Sequence, residues 1–548
     1  MANWIITPVT FAALSAPSIS HRDATGAPRY ARKLPAAPVI NRLGRLIPFI
    51  VLLVNALFVF AETQDDPFIT FRYAANVLAG HGPVFNIGDR VEGYSSPLHL
   101  LVCCVLSSVL PSVGMLFKAK LLGLLFAVLA VVQTRLLARD FGLSEREAVL
   151  AQILAALNIN FAVAAVNGLE TSLYGYLLLL TFRQFLRERD AADGARSAIH
   201  AFLCILARPD AMLIVLVMAA IRGADGRRNR RGASFTIRWL ALVAIPVALL
   251  FALRYFYYGT LLPNTYYAKL SLLANAIPAG IDYLSHPTGM TPPSLAGRLT
   301  FVPLFYGLAI AGWWSVRRRF EGVLLLAFVL SAIVFVLKAG GDWMPGWRFM
   351  TPMLPFFAVA QAMGIRWLTG TWTGKRAAIV FSLSASVAVL TLLAANLRSP
   401  HHSWRSIGYS TEDRALISEG TYAQSWIAVA GYIKTHTRPN DLIAYSEMGY
   451  GPYVDLDRRF LDTRGLVDRD VARMPIRYKD HGGVTDVAWM SPDSPLYNIL
   501  ARRQPAMIVA MDLPARRGAA HLDTPPVVLG RYRHVRVSLP DMVVYVRR

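Results

Sequence analysis

Two adjacent aspartates, Asp65 and Asp66, are the residues of this sequence best suited to catalysis. Transfer of a sugar to a hydroxyl group needs a base that takes the acceptor proton while the anomeric carbon becomes oxocarbenium-like. A carboxylate in a membrane-facing cavity can have a raised pKa, and a second acid beside it raises one of the two further. Aspartate also favours the N-cap of a helix. From the residues alone, both interpretations of the pair, catalytic base and helix cap, stay open.

Four basic residues are candidates for binding a phosphate group: Arg72, Arg208, Lys269 and Arg348. A phosphate leaving group on a lipid carrier must be held and its charge stabilised, which Arg and Lys do at an interface. The alternative for each of them is snorkelling to lipid headgroups. Arg208 differs from the other three, because it lies in the middle of an apolar stretch, where an ionisable group is costly and usually functional.

Acidic and aromatic residues accompany these cations. The acids predicted to neutralise them, or to line the same donor site, are Glu170, Asp210 and Asp342. Aromatic residues that could stack on a sugar, or form an interfacial belt, are Tyr94, Tyr266, Tyr267, Trp343 and Trp347. Loop residues predicted to contact the acceptor are His81, Glu92 and Tyr94. No metal site and no cofactor are predicted, apart from the donor substrate itself.

The chain that must position these residues is too apolar for a soluble protein. Of its 548 residues, 55% are hydrophobic and 16% charged, whereas a soluble protein has about 25% charged residues. Apolar runs of about 18 to 24 residues are long enough to cross a hydrocarbon core. Predicted spans lie near 46–61, 115–137, 147–166, 169–185, 236–258, 301–315, 321–338, 349–367 and 376–397.

The charges of the loops predict the orientation of these spans. The segment 1–45 carries six basic residues and one acid, which places it in the cytoplasm. The basic residues of later loops alternate consistently with that start: Arg135, Arg139, Arg183, Arg187, Arg189, Arg317, Arg318, Arg319, Lys375 and Arg376. Every candidate functional residue named above is then predicted to lie at the outer boundary of the membrane, several of them in the first outer loop, 62–114.

The stretch 197–221 is a special case, because basic residues flank both of its ends. In its middle lies Arg208-Pro209-Asp210, and proline both removes a backbone donor and disfavours helix for the preceding residue. We therefore predict a hairpin of two short helices. Counting it as two gives about eleven transmembrane helices over residues 46–397. The C-terminus is then outside, where residues 398–548 predict an extracytoplasmic α/β domain.

The net charge of +22 does not indicate a nucleic-acid-binding protein. Such proteins concentrate Lys and Arg with interleaved aromatics on one soluble face, whereas here many basic residues lie in short loops between apolar runs. The three cysteines, Cys103, Cys104 and Cys204, do not form a disulfide framework. They are predicted to be small core residues.

Several motifs resemble those of one family in the same order. The string from Asp65 to Pro97 is similar to the first periplasmic loop of GT-C glycosyltransferases. The subgroup is that of the mycobacterial terminal β-(1→2)-arabinofuranosyltransferase and the related pilin arabinosyltransferases. Its later motifs are similar to Gly168-Leu169-Glu170, Arg208-Pro209-Asp210, Pro263–Lys269 and Gly340–Trp343. The resemblance spans roughly residues 50–400, and that subgroup also has a C-terminal soluble domain.

This resemblance implies a polytopic α-helical enzyme of the bacterial inner membrane with its active site on the periplasmic side. Its reaction would be inverting transfer of a monosaccharide, arabinofuranose by analogy, from a polyprenyl-phosphate donor to a cell-envelope glycan or protein acceptor. A first-loop aspartate would be the base, and between the two the resemblance favours Asp65. The chain has Ser95-Ser96-Pro97 where asparagine is expected and Asp210 where glutamate is commoner, so the sugar is not fixed.

Two other functions compete with this interpretation. A lipid-linked sugar flippase or other transporter would suit a broken helix with intramembrane charges. It should, however, show internal repeats and charged residues on both sides of the membrane, and it leaves the C-terminal domain unexplained. A non-catalytic scaffold for envelope assembly does not need an acid pair in the first loop.

Overall fold

The structure is a computed structural model of the 548-residue chain. The residues it describes are 44–61, 63–189, 195–228, 233–270, 273–287, 295–342, 344, 346–370, 374–397, 421–476, 479–480, 483–484, 494–511, 531–535 and 542–548. Nearly all of the predicted cytoplasmic segment 1–45 lies outside this part of the chain, and so does Trp343.

Helices make up most of the described residues between 47 and 397. The helices are α1 Ile47–Phe58, α2 Asp66–Leu78, α3 Pro97–Ser108, α4 Met115–Asp140, α5 Glu145–Leu157, α6 Ile159–Val166, α7 Thr171–Arg187, α8 Ala195–Ala207, α9 Ala211–Arg228, α10 Ala233–Tyr258, α11 Asn264–Ala268, α12 Leu273–Leu284, α13 Leu295–Val316, α14 Phe320–Ala339, α15 Leu354–Thr369 and α16 Gly374–Leu397. A single 3₁₀ turn, Thr351–Met353, precedes α15.

Three helices are long and apolar enough to cross a membrane on their own, judged over the described residues by length and composition. They are α4, α14 and the part Phe235–Tyr258 of α10. The bent pair α5 and α6 would make a fourth span. The other helices that coincide with predicted spans have shorter apolar parts, so the number of about eleven crossings stays a prediction.

Two breaks divide apolar stretches of the sequence. The break predicted at Arg208-Pro209-Asp210 is present and separates α8 from α9. The stretch 147–166, predicted as one span, is instead bent by 65° between α5 and α6. Asn158 causes this bend, because its side chain accepts a hydrogen bond from the Asn160 backbone at 3.0 Å and so begins a new helix.

Helices α2, α3, α11 and α12 lie outside the predicted spans, and α2 shows why. It is short and has too little apolar sequence for a membrane span, yet nine of its thirteen residues are buried. The C-terminal domain covers it: Phe68 of α2 packs against the rings of Tyr450 and Tyr453 at centroid distances of 5.3 and 5.5 Å. Sequence periodicity cannot predict burial that comes from a domain some 380 residues away.

The C-terminal part is an α/β domain, as predicted. Its helices are α17 Thr421–His436, α18 Tyr450–Val454, α19 Arg469–Ala472 and α20 Pro495–Arg503. Its strands are β1 Leu442–Tyr445, β2 Arg459–Asp462, β3 Lys479–Asp480, β4 Gly483–Val484, β5 Met507–Met511, β6 Tyr532–Val535 and β7 Met542–Arg547. Five strands form one sheet in the order β2-β1-β5-β7-β6. Strands β2, β1 and β5 are parallel, and β7 is antiparallel to both β5 and β6.

Candidate active site

One side of the site is an ion pair between α2 and the loop that precedes α15. Asp66 begins α2, and its Oδ2 lies 3.5 Å from Nη1 of Arg348. Nε of the same arginine lies 2.7 Å from Oδ2 of Asp342. The side chain of Asp66 remains 18% exposed, whereas that of Asp342 is only 2% exposed. Asp66 is therefore the carboxylate of this group that a substrate can reach.

The opposite side is built at the break between α8 and α9. Nε of Arg208 donates to Oδ1 of Asp210 at 2.8 Å, and Nη1 of Arg208 lies 3.9 Å from Oε1 of Glu170. Glu170 is the residue from which α7 begins. The guanidinium groups of Arg208 and Arg348 both lie over the ring of Phe349, at 5.1 and 5.4 Å from its centroid. Phe349 thus joins the two ion-pair groups into one site.

A close backbone approach completes this arrangement. Gly168 has φ +77°, which is the left-handed region that favours glycine. A Cβ atom added there would lie 3.4 Å from Cβ of Pro67, so the Gly168-Leu169-Glu170 motif packs directly against Asp66-Pro67. We call the resulting set the charged cluster. Its members are Asp66, Glu170, Arg208, Asp210, Asp342 and Arg348.

Several buried polar atoms in the charged cluster and next to it have no hydrogen-bond partner among the described residues. They include Nη1 of Arg208, whose contact with Glu170 is an ion pair at 3.9 Å, and, beside the cluster, Nε2 of His99 and Oγ1 of Thr171. More than about 90% of buried polar groups in folded proteins have a hydrogen-bond partner. Their concentration in one place indicates a site for a polar ligand, and the guanidinium groups favour one that carries negative charge.

Asp65 does not belong to the charged cluster. Its two carboxylate oxygens accept hydrogen bonds from the backbone N–H groups of Gly449 and Tyr450, at 2.7 and 2.8 Å. Its residue exposure is only 3%. Burial, and then the carboxylate of Glu447, raise the pKa of Asp65 to about 8, although the two backbone hydrogen bonds favour its ionised form. Asp65 caps α18 in the C-terminal domain, so the predicted cap exists but belongs to a distant helix.

Arg72 likewise binds the C-terminal domain. Its guanidinium group donates to the backbone carbonyl groups of Phe85 at 2.8 Å, Arg458 at 2.8 Å and Asp455 at 3.1 Å, and also to that of Pro452. These four bonds use most of the donor capacity of the guanidinium group, and Arg72 is only 1% exposed. The structure thus places Arg72 outside the charged cluster, in a structural position that does not support its predicted role in phosphate binding.

Two asparagines extend this contact between the domains. Asn86 donates to and accepts from the backbone of Phe460, at 2.8 and 2.9 Å. Asn264, in the Pro263–Lys269 motif, donates to the carbonyl groups of Gly465 at 2.8 Å and Asp468 at 3.0 Å. We call Asp65, Arg72, Asn86, Asn264 and the backbone groups they contact the domain interface.

The first-loop residues predicted to contact the acceptor have different positions. Glu92 forms a bidentate ion pair with Arg254 of α10, at 2.5 and 3.0 Å, and is 3% exposed. The hydroxyl group of Tyr94 lies 3.1 Å from that of Tyr258. Both side chains hold the loop onto α10. His81 is exposed and lies apart from the charged cluster.

Residues of the Pro263–Lys269 motif are also outside the charged cluster. Tyr266 is 49% exposed, and Tyr267 lies beneath the guanidinium group of Arg473 at 5.6 Å. Lys269, at the end of α11, is half-buried. The structure therefore brings six of the predicted site residues together in the charged cluster, whereas Asp65, Arg72, His81, Glu92, Tyr94, Tyr266, Tyr267 and Lys269 lie elsewhere.

Besides Phe349, sequence reasoning missed three side chains next to the charged cluster. His99, Tyr174 and Tyr283 contribute, because their neighbours include Glu170, Arg208 and Asp342, respectively, as electrostatic partners. His99 lies two residues after the Glu92–Pro97 motif, and Tyr174 lies four residues after Glu170. Their position one helical turn beyond a polar helix start is the signal that could have identified them.

The sequence of this chain is similar to two curated proteins that are both named terminal β-(1→2)-arabinofuranosyltransferase. The protein from Mycobacterium tuberculosis is 26% identical over 419 residues, which are 67% of this chain and 64% of that protein. The protein from Corynebacterium glutamicum is 27% identical over 344 residues, which are 55% of this chain and 47% of that protein. The resemblance predicted from the motifs is thus confirmed, over less than two thirds of the length of these relatives.

The C-terminal domain has its own match. A family described as "domain of unknown function (DUF8728)" matches residues 414–545. That range contains α17 to α20, β1 to β6 and most of β7.

The fold is similar to crystal structures of ArnT from Cupriavidus metallidurans. The structure bound to undecaprenyl phosphate has a TM-score of 0.51, is 14% identical, and is matched over 92% of this chain and 97% of that one. The apo structure has a TM-score of 0.53 at 14% identity, over 92% and 98% of the two chains. The GT-C type of helical fold predicted from the motifs is therefore confirmed.

Proposed function

We propose that this protein is an inverting glycosyltransferase that moves a monosaccharide from a polyprenyl-phosphate donor to a hydroxyl group on the outer face of the membrane. The observation that carries the proposal is the charged cluster, in which the partly exposed carboxylate of Asp66 lies beside the guanidinium group of Arg348, and the buried guanidinium group of Arg208 lies over the same Phe349 ring. The named relatives suggest arabinofuranose as the sugar, and the undecaprenyl phosphate bound to ArnT suggests the carrier. The acceptor would be a cell-envelope glycan or protein.

Asp66 is the base in this proposal, in place of Asp65, which the resemblance favoured. The acceptor hydroxyl oxygen attacks the anomeric carbon, the bond from that carbon to the phosphate oxygen breaks, and the hydroxyl proton passes to the carboxylate of Asp66. Asp65 is less suited to this role, because it is 3% exposed and both of its oxygens already accept from the N–H groups of Gly449 and Tyr450. Asp66 needs no such rearrangement, because a single ion pair with Arg348 holds it.

Arg208 and Arg348 bind the phosphate group. Cleavage converts a phosphodiester with one negative charge into a monophosphate with two, so positive groups stabilise the transition state more than the ground state. Each guanidinium group is now paired with a carboxylate, Arg208 with Asp210 and Arg348 with Asp342. Those carboxylates hold the guanidinium groups in place, and Nη1 of Arg208 keeps unused donor capacity for a phosphate oxygen.

A transfer assay with purified protein tests the proposal. The donors are polyprenyl-phosphate-linked arabinofuranose, ribofuranose, mannose and glucose, the acceptor is a short arabinan, and the released polyprenyl phosphate is measured. We expect release from the arabinofuranose donor in the wild type and none in the Asp66→Asn variant. Absence of release from every donor contradicts the proposal. Movement of intact donor across liposomes without cleavage would support the flippase instead.

The predicted orientation is tested separately, on a background without Cys103, Cys104 and Cys204. Arg90 and Arg318 are both exposed. A cysteine replacing Arg90 should react with an impermeant thiol reagent in intact cells, and one replacing Arg318 only after permeabilisation. The reverse labelling pattern contradicts a periplasmic site for the charged cluster.

A further inference from the structure

His99 is a buried histidine that the proposed reaction does not use. It lies in the first turn of α3, and the hydroxyl oxygen of Ser96 accepts a hydrogen bond from its backbone N–H at 3.1 Å. Pro97 follows this cap at the first helical position, where proline is favoured. The Ser95-Ser96-Pro97 segment therefore determines where α3 begins, and it places His99 at the charged cluster with only 4% of its surface exposed.

The environment of the imidazole favours one of its two tautomers. The backbone of Gly168 lies within hydrogen-bonding reach of the ring, and Glu170 is its electrostatic neighbour. Nε2 has no hydrogen-bond partner among the described residues, so Nδ1 is the nitrogen that faces Gly168. A carbonyl group can only accept, and this favours the tautomer in which Nδ1 carries the proton and Nε2 has a lone pair.

The neutral form of this ring is favoured. Burial lowers the pKa of His99, an effect that Glu170 and the Gly168 bond oppose. A lone pair at Nε2 repels a phosphate oxygen and attracts the hydrogen of a hydroxyl group. Among the groups that a lipid-phosphate sugar would bring to this site, only the sugar carries hydroxyl groups.

We propose that Nε2 of His99 accepts a hydrogen bond from one hydroxyl group of the donor sugar and so contributes to sugar specificity. This inference rests on the proposed function, because it assumes that the charged cluster binds the phosphate of the same donor. The two residues then bind different parts of the donor: Arg208 binds the phosphate group and His99 binds the sugar. His99 acts in binding, while the acceptor proton still goes to Asp66.

The test compares donors that differ by one hydroxyl group. Polyprenyl-phosphate arabinofuranose and its 2-deoxy, 3-deoxy and 5-deoxy counterparts are assayed with the wild type and with His99→Phe, and kcat/KM is measured for each. In the wild type, one deoxy donor should lose roughly tenfold, the size expected for one hydrogen bond that leaves its partner unpaired. His99→Phe should lose a similar factor with the parent donor, with no further loss for that one deoxy donor.

Two other variants separate a binding role from a structural one. His99→Gln can place a carbonyl oxygen near the position of Nε2, so it should retain more activity than His99→Phe and keep part of the discrimination. His200→Phe replaces a half-buried histidine of α8 on the predicted cytoplasmic side and should leave the donor preference unchanged. Equal relative losses for all three deoxy donors in the wild type and in both His99 variants would overturn the inference.

The outcomes also distinguish this inference from the proposed function. A wild-type protein that cleaves none of the polyprenyl-phosphate sugars contradicts both. If the wild-type protein transfers the sugar, but the effects of the His99 variants and of hydroxyl removal on kcat/KM are independent of each other, only the role of His99 is contradicted.

Discussion

The peptide bond between Asp65 and Asp66 separates two regions of different construction. In the domain interface, side chains bind backbone groups: Asp65 accepts from two N–H groups and Arg72 donates to four carbonyl groups. In the charged cluster, charged side chains bind each other, as Arg348 does with Asp66 and Asp342. In the first region every named side chain is hydrogen-bonded to backbone groups, whereas in the second Nη1 of Arg208 has no hydrogen-bond partner among the described residues.

This difference indicates which region is built for stability and which for ligands. Buried polar groups with all their bonds made contribute to a unique structure, whereas incompletely paired ones are costly unless a ligand completes them. Adjacent aspartates can thus have unrelated roles, because the start of α2 directs one carboxylate toward the C-terminal domain and the other toward the helices. Variants of the two regions should therefore affect different measurements.

The largest expected effect is that of Asp66→Asn on transfer. Loss of the general base should lower kcat by about 100-fold or more, while the melting temperature and the fraction of C-terminal domain protected from protease stay at the wild-type level. Turnover and thermal unfolding of the same preparation measure both. Wild-type turnover in this variant would remove Asp66 from the reaction.

Next in size is the effect of Arg208→Lys on donor binding. Lysine keeps the charge but cannot grip phosphate with two parallel bonds, so KM for the donor should rise about tenfold with folding retained. The double variant Arg208→Ala/Asp210→Ala provides the contrast. If it regains both expression and activity relative to Arg208→Ala, the arginine serves only to pair with Asp210.

Asp65→Asn should act on stability more than on chemistry. An amide cannot accept hydrogen bonds with both of its polar atoms, so one N–H of Gly449 or Tyr450 loses its partner at a cost of about 1–3 kcal/mol. We expect faster proteolysis of the C-terminal domain and a decrease in transfer far smaller than that of Asp66→Asn.

Asp89→Asn is the matched control for that variant, because Asp89 also joins the first loop to the C-terminal domain. Its ion pair with Arg459, at 3.3 Å, is exposed on both sides, and such pairs contribute little. Unchanged protease sensitivity in Asp89→Asn is therefore expected. Equal sensitivity of the Asp65 and Asp89 variants would contradict the special role of Asp65.

The smallest expected effect is on pH dependence. The pKa of Asp65 is about 8 in the folded protein and has an ordinary value of 3.8. A raised pKa means that the folded state binds the proton more tightly than the unfolded state does. The contribution of this proton to the free energy of unfolding is therefore complete below about pH 4 and is lost as the pH rises to about 8. The melting temperature should therefore fall between pH 5 and pH 8, and less steeply in Asp65→Asn.

Asp462 contributes in the same direction, because burial raises its pKa to about 7. The slope that remains in Asp65→Asn should report this second group, and the difference between the two proteins isolates Asp65. A wild-type stability that rises with pH over this range would contradict the assignment.

Much of the charged cluster was predictable because each member lies at a helix boundary. Asp66, Glu170, Arg208 and Arg348 all occur where an apolar run begins, ends or breaks, and the loop charges predict that those positions lie on one side of the membrane. Residues at the helix ends on one side of a helical bundle lie near one another, because the helices pack together. The prediction for Arg72 failed to anticipate its partners, because nothing in the local sequence distinguishes an arginine that binds carbonyl groups from one that binds phosphate.

The sequence by itself determined the apolar runs, the break at Pro209 and the family resemblance, since each depends on residues close together in the chain. Only the tertiary structure decided that Asp65 faces Gly449, that Asp66 faces Arg348 and that His99 lies beside Glu170. Those contacts join residues from about 70 to almost 400 positions apart. The orientation of a side chain at a helix start depends on what packs against that helix, and here the C-terminal domain supplies that packing.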